Sequence, residues 1–401
     1  MNRIGRLRNP LLRYAWGSKT AIQELLGSPG ISKEPIAELW MGAHPKAPSK
    51  VLINGSWVSL DQVIERNPES VLGRDNAEKF HRKLPFLFKV LAAEKPLSIQ
   101  VHPNIQKARE GFIRENELHI PLDAPNRNYK DDTHKPEVLC ALTPFQCLKG
   151  FRNIPEMLRM LEKLSPSIID DEIHRLRKNP GTFGLKRFFS TLMTLEKGLQ
   201  KSIVTEMVRV SNRYAEEDPV FTHMAALNRE FPGDIGALAP IFFNLRTLDP
   251  GEAIFLPPGM PHAYLKGVGI ELMANSDNVL RGGLTQKHMD IPELLRVMDF
   301  SIDTVEKIQP EIGETGEMFY PTPAKEFVLS VITLNNESVY TSAQRRSADI
   351  LICLEGEGTV DDLRCSDRRT LRKGQSVVIP AAVSQYRIQG NATLYKASVP
   401  F

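Results

Sequence analysis

The spacing Gly-x5-Pro-x-Gly-x2-His, set by Gly251, Pro257, Gly259 and His262, recurs near the C-terminus as Gly374, Pro380, Ala382 and Gln385. A glycine at the head of such a pattern supplies the backbone of a tight turn. The apolar residues Ala253-Ile254-Phe255-Leu256 that follow read as a short buried strand, and the Pro-Gly corner ends its pairing. The last residue of the pattern is a histidine in the first copy and a glutamine in the second. The chain therefore carries two related β units, and only the first ends on a histidine.

A length of 401 residues exceeds one ordinary core of about 100–200 residues and points to two or three packed units. With 41% hydrophobic and 25% charged residues, a mainly disordered or fibrous chain is excluded. Lys+Arg 51 against Asp+Glu 48 leaves a net charge of +3. That field is too weak to argue for nucleic acid, although a local basic pocket stays open. Apolar runs such as Ala253–Pro258 fall far short of the ~20 residues that span a bilayer. Arg3, Arg6, Arg8 and Arg13 precede no apolar stretch of a secretory signal. Cys140, Cys147, Cys353 and Cys365 form no CxxC pair and are too sparse for a disulfide scaffold. The expectation is a cytoplasmic protein with no membrane or nucleic-acid partner.

Three zones follow. Residues 1–152 hold short apolar runs bounded by Pro or Asn, such as Pro85-Phe86-Leu87-Phe88-Lys89-Val90-Leu91 and Leu97-Ser98-Ile99-Gln100-Val101-His102, which read as strands. The period changes over 153–235. There Asn153 caps a helix with Glu156 three residues on, and Met157, Leu158, Leu161 and Leu164 form its apolar stripe. Leu185, Phe188, Phe189, Leu192, Leu195 and Leu199 continue at helical spacing, then Val204, Met207 and Val208, and these stripes read as helix packing. Strand signals return over 236–320, with one capped helix near Asp290-Ile291-Pro292-Glu293 that turns Leu294, Leu295 and Val297 inward. The tail 321–401 is nearly all strand. The fold class expected is mainly β, with a helical insertion between two parts of one β unit and a second β unit at the end.

Several residues carry chemistry. On a strand, Gln100 and His102 share a face. Taken with His262 and with the imidazole, ammonium and carboxylate of His134-Lys135-Pro136-Glu137, they outline a metal site at His102, Glu137 and His262. Neutral imidazole and carboxylate suit zinc, and a catalytic zinc keeps one position open. Spacing alone leaves standing the alternative that both histidines are ordinary half-buried residues, and it does not select Gln100. After His262 comes a polar cluster: Tyr264, Glu271, Asn275, Ser276, Asp277, Asn278, Arg281, Thr285 and Lys287. So many polar groups are costly to bury without partners, so they face solvent or line a wet pocket. Arg281 and Lys287 together suit a phosphate, one as a planar fork and the other as a point charge.

The Gly-Pro-Gly-His spacing resembles the second signature of the cupin superfamily, small β-barrels or jelly rolls whose histidine is a metal ligand. Longer motifs are more specific: Tyr14-Ala15-Trp16-Gly17-Ser18, Glu38-Leu39-Trp40-Met41-Gly42-Ala43-His44-Pro45, Leu84-Pro85-Phe86-Leu87-Phe88-Lys89, Leu97-Ser98-Ile99-Gln100-Val101-His102-Pro103-Asn104, His134-Lys135-Pro136-Glu137, and His262-Ala263-Tyr264 through Ser276-Asp277-Asn278-Val279-Leu280-Arg281. In this order they resemble the type I mannose-6-phosphate isomerases. The resemblance implies two or more cupin-like jelly-roll units plus a helical domain, the last unit lacking a metal ligand. It implies a zinc-dependent aldose–ketose isomerase of carbohydrate metabolism and GDP-mannose biosynthesis, acting on mannose 6-phosphate and fructose 6-phosphate, with one Zn2+ per chain. The implied zinc ligands are Gln100, His102, Glu137 and His262, and the implied catalytic arginine is Arg281. Lys89, Ser98, Lys135, Tyr264, Asp277 and Lys287 are implied to line the sugar-phosphate pocket. Arg281-Gly282-Gly283 stands where many members have Arg-Ala-Gly, a change that removes no functional group.

Such an isomerase moves a proton between C2 of the aldose and C1 of the ketose through an enediolate. Guanidinium is a poor base, so Arg281 is expected to stabilise the enediolate or the phosphate. His134, Asp277 and Lys135 are the base candidates. The expectation is that His134 or Asp277 shuttles the proton while Lys135 and Lys287 hold substrate oxygens. The alternatives are a metal-dependent cupin oxygenase and a non-catalytic sugar-phosphate-binding cupin. A monomer is expected, with the second barrel covering an edge of the first.

Overall fold

In the computed structural model, which describes residues 1–400 other than Val305, Glu306 and Ser366, strand residues alternate between two surroundings. On strands Glu38–Gly42, Phe86–Ala93, Glu137–Ala141 and His262–Ala274, the set Leu39, Met41, Phe88, Val90, Val138, Cys140, Ile270 and Leu272 packs to one side in a single apolar cluster. The alternate set points the other way. There Leu91, Leu139 and Ala141 join Phe145, Cys147, Ile254, Leu256 and Tyr264 in a second cluster. This is the two-residue period of a pleated strand, and it gives a barrel an inside and an outside.

His262–Ala274 closes the barrel. Its first residues pair with Gln100–Val101 and Phe145–Phe151, and its later residues pair with Phe86–Ala93 and Glu137–Ala141. Gly267 lies where the strand crosses from one wall to the other, at φ +135°, and a β-carbon there would meet the Phe145 ring at 2.7 Å. Only glycine serves such a bend. The inside is apolar at depth and polar toward one end, where Glu137, Glu271, Lys89, His102 and His262 are all buried.

The helical block packs on one barrel wall. Asn153 caps the helix Ile154–Leu164, its side chain accepting from the Glu156 N–H at 2.9 Å, with Met157, Leu158, Leu161 and Leu164 buried behind it. The stripe expected from Leu185 to Leu199 is not one helix. Helix Thr182–Thr194 ends, Lys197–Ser211 begins, and Leu199 is exposed. The break has a local cause: the buried Gln200 amide donates to the carbonyls of Leu192 and Met193 at 2.9 and 3.1 Å, satisfying the end of the first helix. The helices meet the barrel through Val101, Leu148, Ala263, Leu265 and Leu280, the outward neighbours of Gln100, Cys147, His262, Tyr264 and Arg281. Asp290 caps Ile291–Val297 through the Glu293 N–H. Leu294 and Val297 are buried as expected, whereas Leu295 is only half-buried.

The C-terminal copy of the repeated spacing keeps its shape. Strand Ser376–Ile379 is followed by Tyr386–Ser398, which has 13 residues, as has His262–Ala274. Gln385 donates to the Ser342 carbonyl at 3.0 Å, so its amide holds a loop. This unit was expected to cover a barrel edge, but it covers a face. Tyr320, Phe327, Leu329, Ile350, Ile352, Tyr395 and Ala397 share the apolar cluster on the outside of the first barrel's strands. Each Phe, Leu or Ile among them removed from water contributes about 1.5–3 kcal/mol, which holds this unit in place without a metal. The N-terminal strand Gly5–Arg8 pairs with Ser376–Ile379 and with Lys50–Ile53, so both chain ends join this sheet.

Candidate metal centre

Three distant segments meet at the polar end of the barrel. Gln100 lies opposite His262 on one side and opposite Arg281 on the other, and opposed residues on neighbouring strands share a face. Strand pairing ends at Val101, so His102 is placed by other bonds than the expected strand alternation. Its carbonyl accepts from the Gly259 N–H at 2.7 Å, and its Nδ1 lies 2.7 Å from the Asn278 carbonyl oxygen. His262 Nδ1 lies 3.0 Å from the Met260 carbonyl oxygen. A carbonyl only accepts, so both Nδ1 atoms carry the proton, and both Nε2 atoms present lone pairs.

Those lone pairs converge on Glu137. His102 Nε2 is 3.4 Å from Oε1, and His262 Nε2 is 3.4 Å from Oε2. The three ligand atoms lie within 4.8 Å of one another. Ligands about 2.0–2.2 Å from a tetrahedral zinc stand about 3.4 Å apart, and each imidazole lies at that distance from one of the two Glu137 oxygens. His102 Nε2 is buried with no hydrogen-bond partner, a costly state unless something binds there. Burial, reinforced by Lys135, pushes the His102 imidazolium down to about 4, leaving the ring neutral as a metal requires. Burial alone would raise the Glu137 carboxyl, but the Lys135 ammonium outweighs it and holds the group ionised. The donor set fits a divalent ion.

Around this centre the charges are paired. Lys135 Nζ is 3.0 Å from Glu137 Oε1. Lys89 is buried, its ammonium 2.8 Å from Glu271 and 3.6 Å from Glu38. Burial would lower it, and the two carboxylates more than reverse that. Glu38 accepts in turn from Trp40 Nε1 at 2.7 Å. Tyr264 is buried beside His262, the ring centroids 6.0 Å apart, and packs edge-on to Phe145. Ser98 is half-buried, and the next residue, Ile99, exchanges backbone bonds with Gly282 and Gly283, which stitches this segment to the turn after Arg281.

The mouth is cationic. Arg281 is half-buried, and burial lowers its pKa. Lys287 is lowered by partial burial and then by Arg281 and Lys46. Asp277 answers this charge: its Oδ2 is 2.9 Å from Lys46 Nζ and 3.5 Å from His44 Nε2. Burial does push Asp277 up, but His44 and Lys46 outweigh it and hold the group well below the usual range. His134 faces elsewhere, its Nε2 2.9 Å from Glu326 of the C-terminal unit.

The polar cluster after His262 is neither a solvated loop nor a wet lining throughout. Ser276 and Asn278 are buried and bonded to the segment 130–133. Sequence reasoning did not single out Asp131, Lys46, Glu38 or the Asn278 carbonyl as parts of the site. Each acts through a partner far along the chain, and no local spacing signals such a pair.

The family described as "Phosphomannose isomerase type I, catalytic domain" matches residues 4–154, and "Mannose-6-phosphate isomerase, cupin domain" matches residues 317–399. The chain is 40% identical over 392 residues to mannose-6-phosphate isomerase of Escherichia coli K12, covering 97% of this chain and 98% of that protein. It is 40% identical over 337 residues to the Homo sapiens mannose-6-phosphate isomerase, covering 78% and 75%. A zinc-bound mannose 6-phosphate isomerase structure superposes with a TM-score of 0.90 at 37% identity, and a phosphomannose isomerase variant from Salmonella typhimurium with 0.92 at 37%. Each alignment covers 100% of both chains.

Proposed function

This chain belongs to the type I phosphomannose isomerases, and we propose that it interconverts mannose 6-phosphate and fructose 6-phosphate at one zinc ion held by Gln100, His102, Glu137 and His262. The observation that carries this reading is the buried convergence of two imidazoles and a carboxylate, with the His102 Nε2 lacking any partner, beside a cationic mouth. Family membership and the zinc-bound relative set aside the oxygenase and the non-catalytic binder.

When bound, zinc supplies Lewis-acid polarisation of sugar oxygens. The chain's own residues do the rest. Arg281 remains a cation at every working pH and steadies negative charge on the enediolate or the phosphate. Lys287 and Lys46 draw the phosphate to the mouth, and Lys135 holds a sugar oxygen near Glu137. Lys89, Tyr264 and Ser98 shape the pocket wall.

Conversion requires a base that takes the C2 proton of the aldose and returns it at C1. Asp277 is assigned this role, because it is ionised, is paired with Lys46 at the cationic mouth and lies outside the metal ligand set. His134, engaged by Glu326, is assigned to holding the loop instead. A phosphate dianion competes with Asp277 for Lys46, and loss of that partner lifts the carboxylate toward working basicity. The chain is near charge balance, and no described helix is long and apolar enough to cross a membrane. Its substrate on this reading is a small sugar phosphate.

Solvent deuterium exchange at C2 tests the assignment. Asp277→Asn is expected to slow exchange by at least about 10²-fold at unchanged zinc content, and His134→Gln by less than about threefold. Exchange at the normal rate in Asp277→Asn overturns it.

A further inference from the structure

The two loops that carry the site are cross-linked by a carboxylate that belongs to neither the metal shell nor the substrate pocket. Asp131 stands shortly before Lys135 and Glu137. Its Oδ1 accepts from Ser276 Oγ at 2.8 Å and from Asn278 Nδ2 at 3.1 Å, and its Oδ2 accepts from the Asp277 N–H at 2.8 Å. Thr133 N–H and Thr133 Oγ1 also reach Oδ1, at 3.1 and 2.5 Å. Asn278 answers in the other direction. Its amide donates to the carbonyls of Asp131 and Thr133 at 2.8 and 2.9 Å, and its Oδ1 accepts from the Lys130 N–H at 2.7 Å.

This clasp joins the segment ahead of Glu137 to the turn ahead of Arg281. It fixes two groups by name. The Asn278 carbonyl is the acceptor that orients His102, and the Asp277 backbone is held directly. A bound imidazole is aimed by the acceptor on its other nitrogen, and disturbing that acceptor weakens metal binding by about 10–100-fold. We propose that Asp131 is a positioning residue which, through Ser276 and Asn278, sets both the direction of the His102 ring toward zinc and the placement of the Asp277 carboxylate. The proposal rests on His102 being a zinc ligand, so its test separates the two claims.

Zinc affinity is measured by competition with a chromogenic chelator on the full-length protein, beside the unfolding temperature of the metal-free form. Asp131→Asn keeps the shape but removes the charge and one acceptor oxygen. It is expected to weaken zinc binding about 10–100-fold and, with zinc saturating, to lower kcat while KM stays within twofold. Ser276→Ala, which removes one hydroxyl from the clasp, is expected to weaken zinc less, and the double variant to add little to Asp131→Asn. Asp132→Asn, at the neighbouring exposed carboxylate, is expected to change neither quantity. A zinc affinity within twofold of wild type in folded Asp131→Asn overturns the proposal. Should that variant fail to fold, Ser276→Ala decides by the same twofold threshold. His102→Ala runs in parallel: if it keeps zinc, the ligand assignment falls, whereas loss of zinc there with wild-type affinity in Asp131→Asn sinks the positioning role alone.

Discussion

Lys89 and Glu271 stand directly opposite one another on neighbouring strands, and their side chains meet at 2.8 Å inside the barrel. With Glu38 at 3.6 Å, this makes a buried carboxylate–ammonium–carboxylate set one row from Glu137. Breaking it by Lys89→Met leaves two buried carboxylates without a cation, an expected loss of about 3–5 kcal/mol in urea unfolding. Adding Glu271→Gln to that variant is expected to recover part of the loss. A destabilisation under about 1 kcal/mol for Lys89→Met alone would show that the pair is not structurally required.

Arg281 shares a sheet row with Gln100 and His262 but is assigned no metal bond. Arg281→Ala is therefore expected to lower kcat/KM by about 10²–10³-fold while zinc per chain and thermal stability stay at wild-type values. Loss of zinc in this variant would place the arginine in the structure of the centre instead.

Gly282 and Gly283 behave differently although adjacent. A β-carbon at Gly282 meets only the side-chain tips of Leu294 and Ile99, at 3.3 and 3.4 Å, whereas at Gly283 (φ +139°) it lies 2.8 Å from the Gly236 backbone. Gly282→Ala is expected to shift stability by less than about 1 kcal/mol and activity by less than twofold. Gly283→Ala is expected to cost about 1–3 kcal/mol. Equal effects from the two changes would contradict this account.

Glu293 governs an acid limb of stability. Burial would raise its carboxyl, but Arg296, Tyr129 and Arg114 hold it down to about 2 from an ordinary value of 4.5. The folded pKa is depressed, so the contribution is present above about pH 4.5 and is lost as pH falls toward 2. Urea unfolding across that window is expected to show a shallower acid decline in Glu293→Gln than in wild type. Superimposable slopes would remove Glu293 from the explanation.

Local signals carried far in this chain. The Asn153 cap, the stripe behind it and the repeated Gly-Pro spacing depend on neighbours a few residues away, and each marks a real element. His102 and His262 were legible as candidate ligands because histidine is scarce in this chain, and Glu137 because it closes the run His134-Lys135-Pro136-Glu137; the fold brings the three together. What sequence did not show was set by pairing across the chain. The helix break at Glu196 depends on the Gln200 amide folding back. The burial of Ser276 and Asn278 depends on Asp131, and the pairing of Lys89 depends on strand register with Glu271 and Glu38. The second barrel's task emerged only when its apolar face could be seen against the outside of the first.

The central claim is that a zinc ion at His102, Glu137, His262 and Gln100 is required for turnover. Elemental analysis of the purified protein, with a coupled fructose 6-phosphate assay before and after chelation, tests it most directly. The account predicts one zinc per chain, loss of activity on its removal and recovery in proportion to zinc restored, with Glu137→Ala neither holding the metal nor regaining activity. Full turnover by metal-free protein, or stoichiometric zinc in Glu137→Ala, would contradict it.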